Sequence, residues 1–195
     1  IFHKNKNLSK SIKNNILKET LNSKIINERR LIKLVSINSK EIKKNSIFIG
    51  IKGKKYDGNL FAGEAIKNGA SLALSNKKNK ASKIIYNQNP LNFFNKISIQ
   101  LRKSLDAKYI AITGSAGKTS VKELTGFCLN KLAKTYYSKK SFNNKYGVPL
   151  SIFNTPQSKK FVVLEVGMDK KGEIDNLTKL IKPDLGLITN ISYAH

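Results

Sequence analysis

The chain has 195 residues, with 37 Lys or Arg against 12 Asp or Glu, giving a formal charge of +25. That length holds one ordinary domain or two small ones with a workable core. The single cysteine, Cys128, excludes an internal disulfide framework and a cysteine-built zinc cage. No stretch reaches the roughly 18 apolar residues of a membrane-spanning helix, nothing resembles a signal peptide, and a reduced cytoplasmic setting fits best.

Excess Lys and Arg can mark a polyanion partner, because clustered cations neutralise phosphates and release counterions. Here the lysines are dispersed, in short runs such as Lys77-Lys78 and Lys139-Lys140, and lack the aromatic interleaving of a single-strand binding platform. Lys, Asn and Ile rise together, as codon bias in an AT-rich genome would produce. We therefore read the charge as bias plus solubility, with a basic nucleic-acid-binding module as the competing reading. The chain opens on Ile1 and closes on His195 inside a motif, which reads as a fragment of a longer protein.

Residues 8 to 34 carry apolar side chains at mixed helical spacing: Leu8, Ile12, Ile16, Leu17 and Leu21, then Ile25, Ile26, Leu31, Ile32, Leu34 and Val35. Ser46 to Ile51 reads as a short strand entering the turn-rich Lys52-Gly53-Lys54-Lys55-Tyr56-Asp57-Gly58. A helix from about Leu60 to Asn68 should stop at Gly69. Ser71 to Leu74 and Lys83 to Tyr86 read as further strands. After the break at Asn89-Pro90, Leu91 to Leu105 forms a helix with Phe93, Phe94, Ile97, Leu101 and Leu105 on one face. The domain junction is placed near Asp106, giving domains of 1–106 and 107–195.

The second half alternates strand and helix in the manner of a parallel α/β sheet. Tyr109 to Thr113 is a strand. Lys118 to about Leu132 is a helix whose apolar face holds Val121, Leu124, Cys128, Leu129 and Leu132, so Cys128 is expected in the core. Phe161 to Val166 is an apolar run interrupted by Glu165, as a buried central strand ending in an acid would be. Leu177 to Ile181 closes a helix before Pro183, and Leu185 to Thr189 reads as a third core strand.

The chemistry centres on Ile110-Ala111-Ile112-Thr113-Gly114-Ser115-Ala116-Gly117-Lys118-Thr119-Ser120. An apolar strand enters a glycine-bracketed turn, and Lys-Thr then opens an amphipathic helix. Glycines let backbone N–H groups face a phosphate, and the helix N-terminus adds partial positive charge. Lys118 would meet the β- and γ-phosphates and Thr119 would offer a hydroxyl to Mg²⁺. The general phosphate-loop pattern has a glycine where this chain has Ile112. Glu165, one strand along, stands where such an enzyme needs a magnesium ligand, although a carboxylate paired with a lysine would look the same. His195 would lie just past the third strand, on the edge where open α/β sheets bind ligands. His3 has no such setting.

Several segments together resemble the Mur ligases, the amide-forming enzymes of peptidoglycan synthesis. Thr113 to Glu123 is similar to their ATP loop, which also lacks the early glycine. Asn143-Asn144-Lys145-Tyr146-Gly147-Val148-Pro149-Leu150 resembles a stretch of the D-alanyl-D-alanine-adding branch. So does Leu164-Glu165-Val166-Gly167-Met168 with Gly172-Glu173-Ile174. Ile188-Thr189-Asn190-Ile191, closing with Ala194-His195, resembles the motif that supplies a histidine to the nucleotide site. In the first half, Phe48 to Gly53, Tyr56-Asp57-Gly58 with Phe61, and Ala65 with Gly69-Ala70 look like the UDP-sugar-binding domain. Ser39-Lys40 replaces the family's Ser-Arg and Asn59 its usual His; lysine keeps the charge but loses the bidentate fork.

The resemblance covers roughly residues 30 to 195. It implies an α/β protein: a small UDP-substrate domain with a linker helix over 1–106, then an incomplete ATP-binding domain over 107–195, inactive without the remainder. It implies an ATP-dependent ligase that joins D-alanyl-D-alanine to UDP-N-acetylmuramoyl tripeptide through an acyl phosphate. The implied cofactors are ATP and Mg²⁺, and a cytoplasmic monomer is expected, with no nucleic-acid partner and no membrane insertion. Thr113, Gly114, Ser115, Ala116, Gly117, Lys118, Thr119 and Ser120 would bind the nucleotide. Thr119, Glu165 and His195 would hold metal, with Lys118, Glu165 and His195 catalytic. Ser39, Lys40, Lys52, Asp57, Asn143 and Asn144 would contact substrate. Competing assignments are a sibling ligase adding the third peptide residue, folylpolyglutamate synthase, and a P-loop hydrolase used as a switch.

Overall fold

A computed structural model describes residues 5–21, 32–138 and 142–192, the side chains of the first helix being described from Ile12. The chain divides into two compact units, 1–101 and 102–195. The helix expected over Leu91–Leu105 runs across that division.

In the first unit, helix α1 spans Asn5–Leu21. Four short strands follow: β1 (Leu34–Ser36), β2 (Ser46–Ile49), β3 (Leu72–Ser75) and β4 (Ile84–Tyr86). They form one parallel sheet in the order β1-β2-β3-β4. Strands β2 and β3 are buried along their whole length, which suits their apolar runs. Helix α2 (Ala62–Lys67) packs on the sheet through Ala62 and Ala65, against Phe48, Ala73 and Ile84. Small residues on that face let helix and sheet approach closely. Helix α3 (Pro90–Ser104) buries Phe93, Phe94, Ile97 and Leu101, the face its spacing predicts. The apolar run at Leu34 and Val35 belongs to β1 and not to a continued helix; Ile25, Ile26 and Leu31 lie outside the described residues.

The second unit is a parallel sheet ordered β6-β7-β5-β8. Its strands are β5 (Lys108–Thr113), β6 (Thr135–Tyr137), β7 (Phe161–Glu165) and β8 (Leu185–Ile188). Helices α4 (Lys118–Leu132), α5 (Gly147–Asn154) and α6 (Glu173–Ile181) connect them. Register places Ile112 beside Glu165 and Thr113 beside Ile188. The parallel ladder thus brings the loop after β5, the end of β7 and the segment after β8 to one edge. At the opposite edge Arg102 donates to Ile181 O, Lys182 O and Asp184 Oδ2 at 2.8, 2.9 and 3.0 Å. Its guanidinium lies 3.9 Å from the centroid of the Tyr109 ring.

Two expectations are corrected. Cys128 is exposed, as are Leu124 (64%), Phe127 (56%) and Leu132 (80%). The buried face of α4 instead carries Lys122 and Gly126, with Val121 and Leu129 packed on Ile110, Ile112 and Val163. A lysine and a glycine give no hydrophobic signal, so the apolar stripe pointed the wrong way. A Cβ at Gly126 would run into the Tyr137 ring, which explains why the helix offers no side chain to β6 there. Strand β8, expected in the core, is the outermost strand among the described residues, with Leu185 and Ile188 exposed. Strand β6 and helix α5 were not foreseen.

Candidate nucleotide site

The loop from Gly114 to Gly117 joins β5 to α4. Gly114 has φ +139°, and a Cβ there would run into Thr189 Oγ1. Only glycine meets both demands without strain. Gly117, in the left-handed region, sits at the N-cap of α4 and supplies no side chain to its first turn. The N–H groups of that turn therefore lack a side-chain cap and point, with the helix dipole, at the loop mouth. Lys118 curls over the loop, donating from Nζ to Gly114 O at 2.7 Å and Ser115 O at 3.3 Å.

The segment after β8 braces this loop. Thr189 Oγ1 lies 2.6 Å from Ala116 O and 3.2 Å from Thr113 O, its one proton shared between the two carbonyls. Asn190 Oδ1 accepts from Ala116 N at 2.8 Å, and Asn190 O accepts from Ser115 N at 3.1 Å. Ser115 Oγ donates to Ser192 O at 2.8 Å and accepts from Ser192 N at 2.9 Å. The sequence reading assigned these three residues no contact with the loop. Their signal, a Thr-Asn pair at a strand end, specifies no partner by itself. His195 lies outside the described residues.

Glu165 ends β7 with 2% exposure. Its Oε2 accepts from Thr119 Oγ1 at 2.9 Å and its Oε1 from Asn143 Nδ2 at 2.9 Å. Asn143 is fixed in turn, its carbonyl accepting from Gly167 N at 2.7 Å. A hydroxyl and a carboxylate this close form a hard oxygen pair, which suits Mg²⁺ with phosphate oxygens and waters filling its other positions. No group of three or more His, Cys, Asp or Glu residues that could hold a metal occurs among the described residues. Asn144 does different work: its Oδ1 accepts from Tyr146 N and Gly147 N, both at 3.0 Å, starting α5.

In the first unit, Ser39 is buried, donates to Glu64 Oε1 at 3.2 Å, and accepts from Asn68 Nδ2 at its carbonyl. Lys40 is exposed. Lys52 and Asp57 form an isolated antiparallel bridge. Asp57 Oδ1 accepts from Asn59 Nδ2 and N, at 2.7 and 3.0 Å, and these bonds hold its carboxyl below the usual carboxylate range. Among the described residues, the Ser39–Lys40 pair and the Lys52–Asp57 pair share no hydrogen-bond partner. Asp57 caps the turn Gly58–Phe61, a local role that its Asp-Gly sequence favours. No described helix is long and apolar enough to cross a membrane.

A glycine-bracketed loop feeding a lysine into a helix N-terminus, beside a strand-end carboxylate, defines a P-loop α/β architecture. The Mur ligase family catalytic domain profile matches residues 31–123, and that of the Mur ligase middle domain matches residues 112–195. The chain belongs to the Mur ligase family. It is 38% identical over 165 residues to the UDP-N-acetylmuramoyl-tripeptide--D-alanyl-D-alanine ligase of Buchnera aphidicola subsp. Baizongia pistaciae, covering 83% of this chain and 36% of that protein. A crystal structure of MurF from Acinetobacter baumannii matches with TM-score 0.82 and 26% identity, over 93% of this chain and 41% of that one. MurF from Thermotoga maritima, in complex with ADP, matches with TM-score 0.71 and 29% identity, over 81% and 37%. The chain thus spans only 36% to 41% of the length of these relatives.

Proposed function

We propose that the protein containing these residues is an ATP-dependent ligase that joins D-alanyl-D-alanine to UDP-N-acetylmuramoyl tripeptide, a step in building peptidoglycan precursors in the cytoplasm. The observation that carries this reading is the Thr119–Glu165 pair at 2.9 Å beneath the Gly114–Lys118 loop. The similarity to D-alanyl-D-alanine ligases and the ADP held by the Thermotoga relative support it.

A carboxylate is a poor electrophile with a poor leaving group. In this reading the terminal carboxylate of the tripeptide takes the γ-phosphoryl group of ATP and ADP leaves; the amine of D-alanyl-D-alanine then attacks the acyl phosphate and loses a proton, and phosphate departs as the amide forms. The protein contributes placement and charge neutralisation. Backbone N–H groups from Gly114 to Thr119 wrap the phosphates once those of Ser115 and Ala116 leave Asn190. Lys118 leaves its two loop carbonyls for phosphate oxygens and counters charge on the transferred group. Thr119 and Glu165 are the residues that would hold Mg²⁺, which when bound neutralises the triphosphate. Asn143 fixes Glu165 through one oxygen and, with Asn144, lines the substrate side. His195 helps to position a second metal or its waters. Ser39, Lys40, Lys52 and Asp57 serve the UDP end, in a domain of 1–106 that precedes the ATP-binding domain of 107–195.

Calorimetric titration of this chain with UDP-N-acetylmuramoyl tripeptide, with UDP and generic RNA as controls, tests the reading at two salt concentrations. Saturable, salt-tolerant binding of the UDP ligands is expected. Binding of RNA alone, collapsing as salt rises, would show instead that the charge carries the function.

A further inference from the structure

Lys122 follows the loop residues Lys118 and Thr119 by one helical turn, and its side chain is fully buried. Its ammonium donates to Ser138 O at 2.6 Å and pairs with Glu123 Oε1 at 3.0 Å. Lysine is almost never buried without such partners, because removing its charge from water is costly. Methionine would fill a similar volume without that cost, so packing alone does not account for a charged group at this position.

The bond to Ser138 falls where it matters for the site. Ser138 comes directly after β6, and its N–H donates to Val163 O of β7 at 3.2 Å. Four residues separate it in sequence from Asn143, whose side chain holds Glu165 Oε1 at 2.9 Å. The other oxygen of Glu165 takes Thr119 Oγ1 at 2.9 Å. Thr119 and Lys122 are three residues apart on α4 and so share a face. One helix thus touches the carboxylate directly, through Thr119, and holds the end of β6, the strand paired with β7, through Lys122. Gly126, one turn further along, lets β6 come close enough for this bond.

We propose that Lys122 is a positioning residue for the nucleotide site. It pins the end of β6, and with it the paired strand β7, to α4, and so holds Glu165 at the reach of Thr119 Oγ1. The inference rests on the reading of Thr119 and Glu165 as the magnesium-nucleotide site.

The test is ATP affinity of this chain, with and without Mg²⁺, for wild type, Lys122→Met, Asn143→Ala and the double variant. Lys122→Met should keep Mg²⁺-free affinity within about twofold and lose about tenfold of the gain that Mg²⁺ brings, a size typical of coupling inside one hydrogen-bond network. Asn143→Ala should lose a similar amount, and the double variant little more than either. Lys122→Gln, which keeps a donor, should recover part of the loss, and it carries the comparison if the methionine variant does not fold. Additive losses, or equal losses with and without Mg²⁺, would overturn the positioning role while leaving the site reading intact. A wild-type chain whose ATP binding ignores Mg²⁺ would overturn the site reading itself, and this inference with it.

Discussion

Replacing Gly114 by alanine separates the loop's shape from its composition. At φ +139° an L-residue is strained by about 1–3 kcal/mol. The new methyl would also displace Thr189 Oγ1, whose one proton, directed at Ala116 O with Thr113 O further off, contributes about 0.5–1.5 kcal/mol. Together these give about 2–4 kcal/mol. If the cost falls on the phosphate-binding geometry, ATP affinity should drop by roughly 30- to 1,000-fold, at about 1.4 kcal/mol per factor of ten. Calorimetric titration with Mg²⁺-ATP reads this directly, beside a thermal melt that reports cost to the fold. Adding Thr189→Ala removes the clash but not the backbone strain. The double variant should therefore lose less than the sum of the two single ones. ATP affinity within about twofold of wild type, with an unchanged melt, would refute the argument that this loop needs glycine for its shape.

Lys118→Ala should abolish measurable ATP binding to this chain and lower turnover of the intact ligase by several orders of magnitude; near-normal turnover in a coupled phosphate-release assay would remove its assigned role. Arg102→Met should destabilise the second unit by about 3 kcal/mol in urea unfolding, since it loses three charge-assisted bonds and the Tyr109 ring contact. Asp184 gives a pH prediction. The Tyr109 N–H, then the Lys108 side chain and Arg102, hold its carboxyl below the usual range. A carboxyl lowered on folding adds stability that is complete above its unfolded pKa of about 3.9 and is lost as pH falls through the lower folded value. Asp184→Asn should flatten that acid limb in unfolding midpoints measured below about pH 4, and an unchanged limb would count against it.

What the sequence disclosed follows from the range of each signal. The loop Thr113–Ser120 and the acid ending β7 are local patterns: glycines, a Lys-Thr pair and an apolar run with its terminal carboxylate. Parallel pairing of β5 with β7 then brings them together without further information. The target of Asn143 was not legible, because a side-chain amide reaching 22 residues along the chain leaves no periodic trace. The same holds for Thr189, Asn190 and Ser192, which brace the loop from beyond β8. Helix α4 was placed correctly and faced wrongly, since its inward positions include Lys122 and Gly126 while Leu124 and Leu132 look outward. Strand β6 escaped notice because three residues, Thr135–Tyr137, are too few to show alternation. Strand β8 is outermost among the described residues, although its apolar run would equally suit a central strand.

That edge also governs how this 195-residue chain should be handled. Leu185 and Ile188 on β8, and Ile191 after it, present an apolar rim beside a strand with an unpaired side among the described residues. Such an edge is a template for copies to stack upon. With +25 charges the chain carries its own dispersant, and mutual repulsion keeps edges apart while the ionic atmosphere is thin. The screening length shrinks from about 10 Å at 0.1 M salt to about 3 Å at 1 M. Concentrated salt, often added to quiet a basic protein, would here strip away its colloidal protection, and sulfate would further strengthen the attraction between the bared apolar rims.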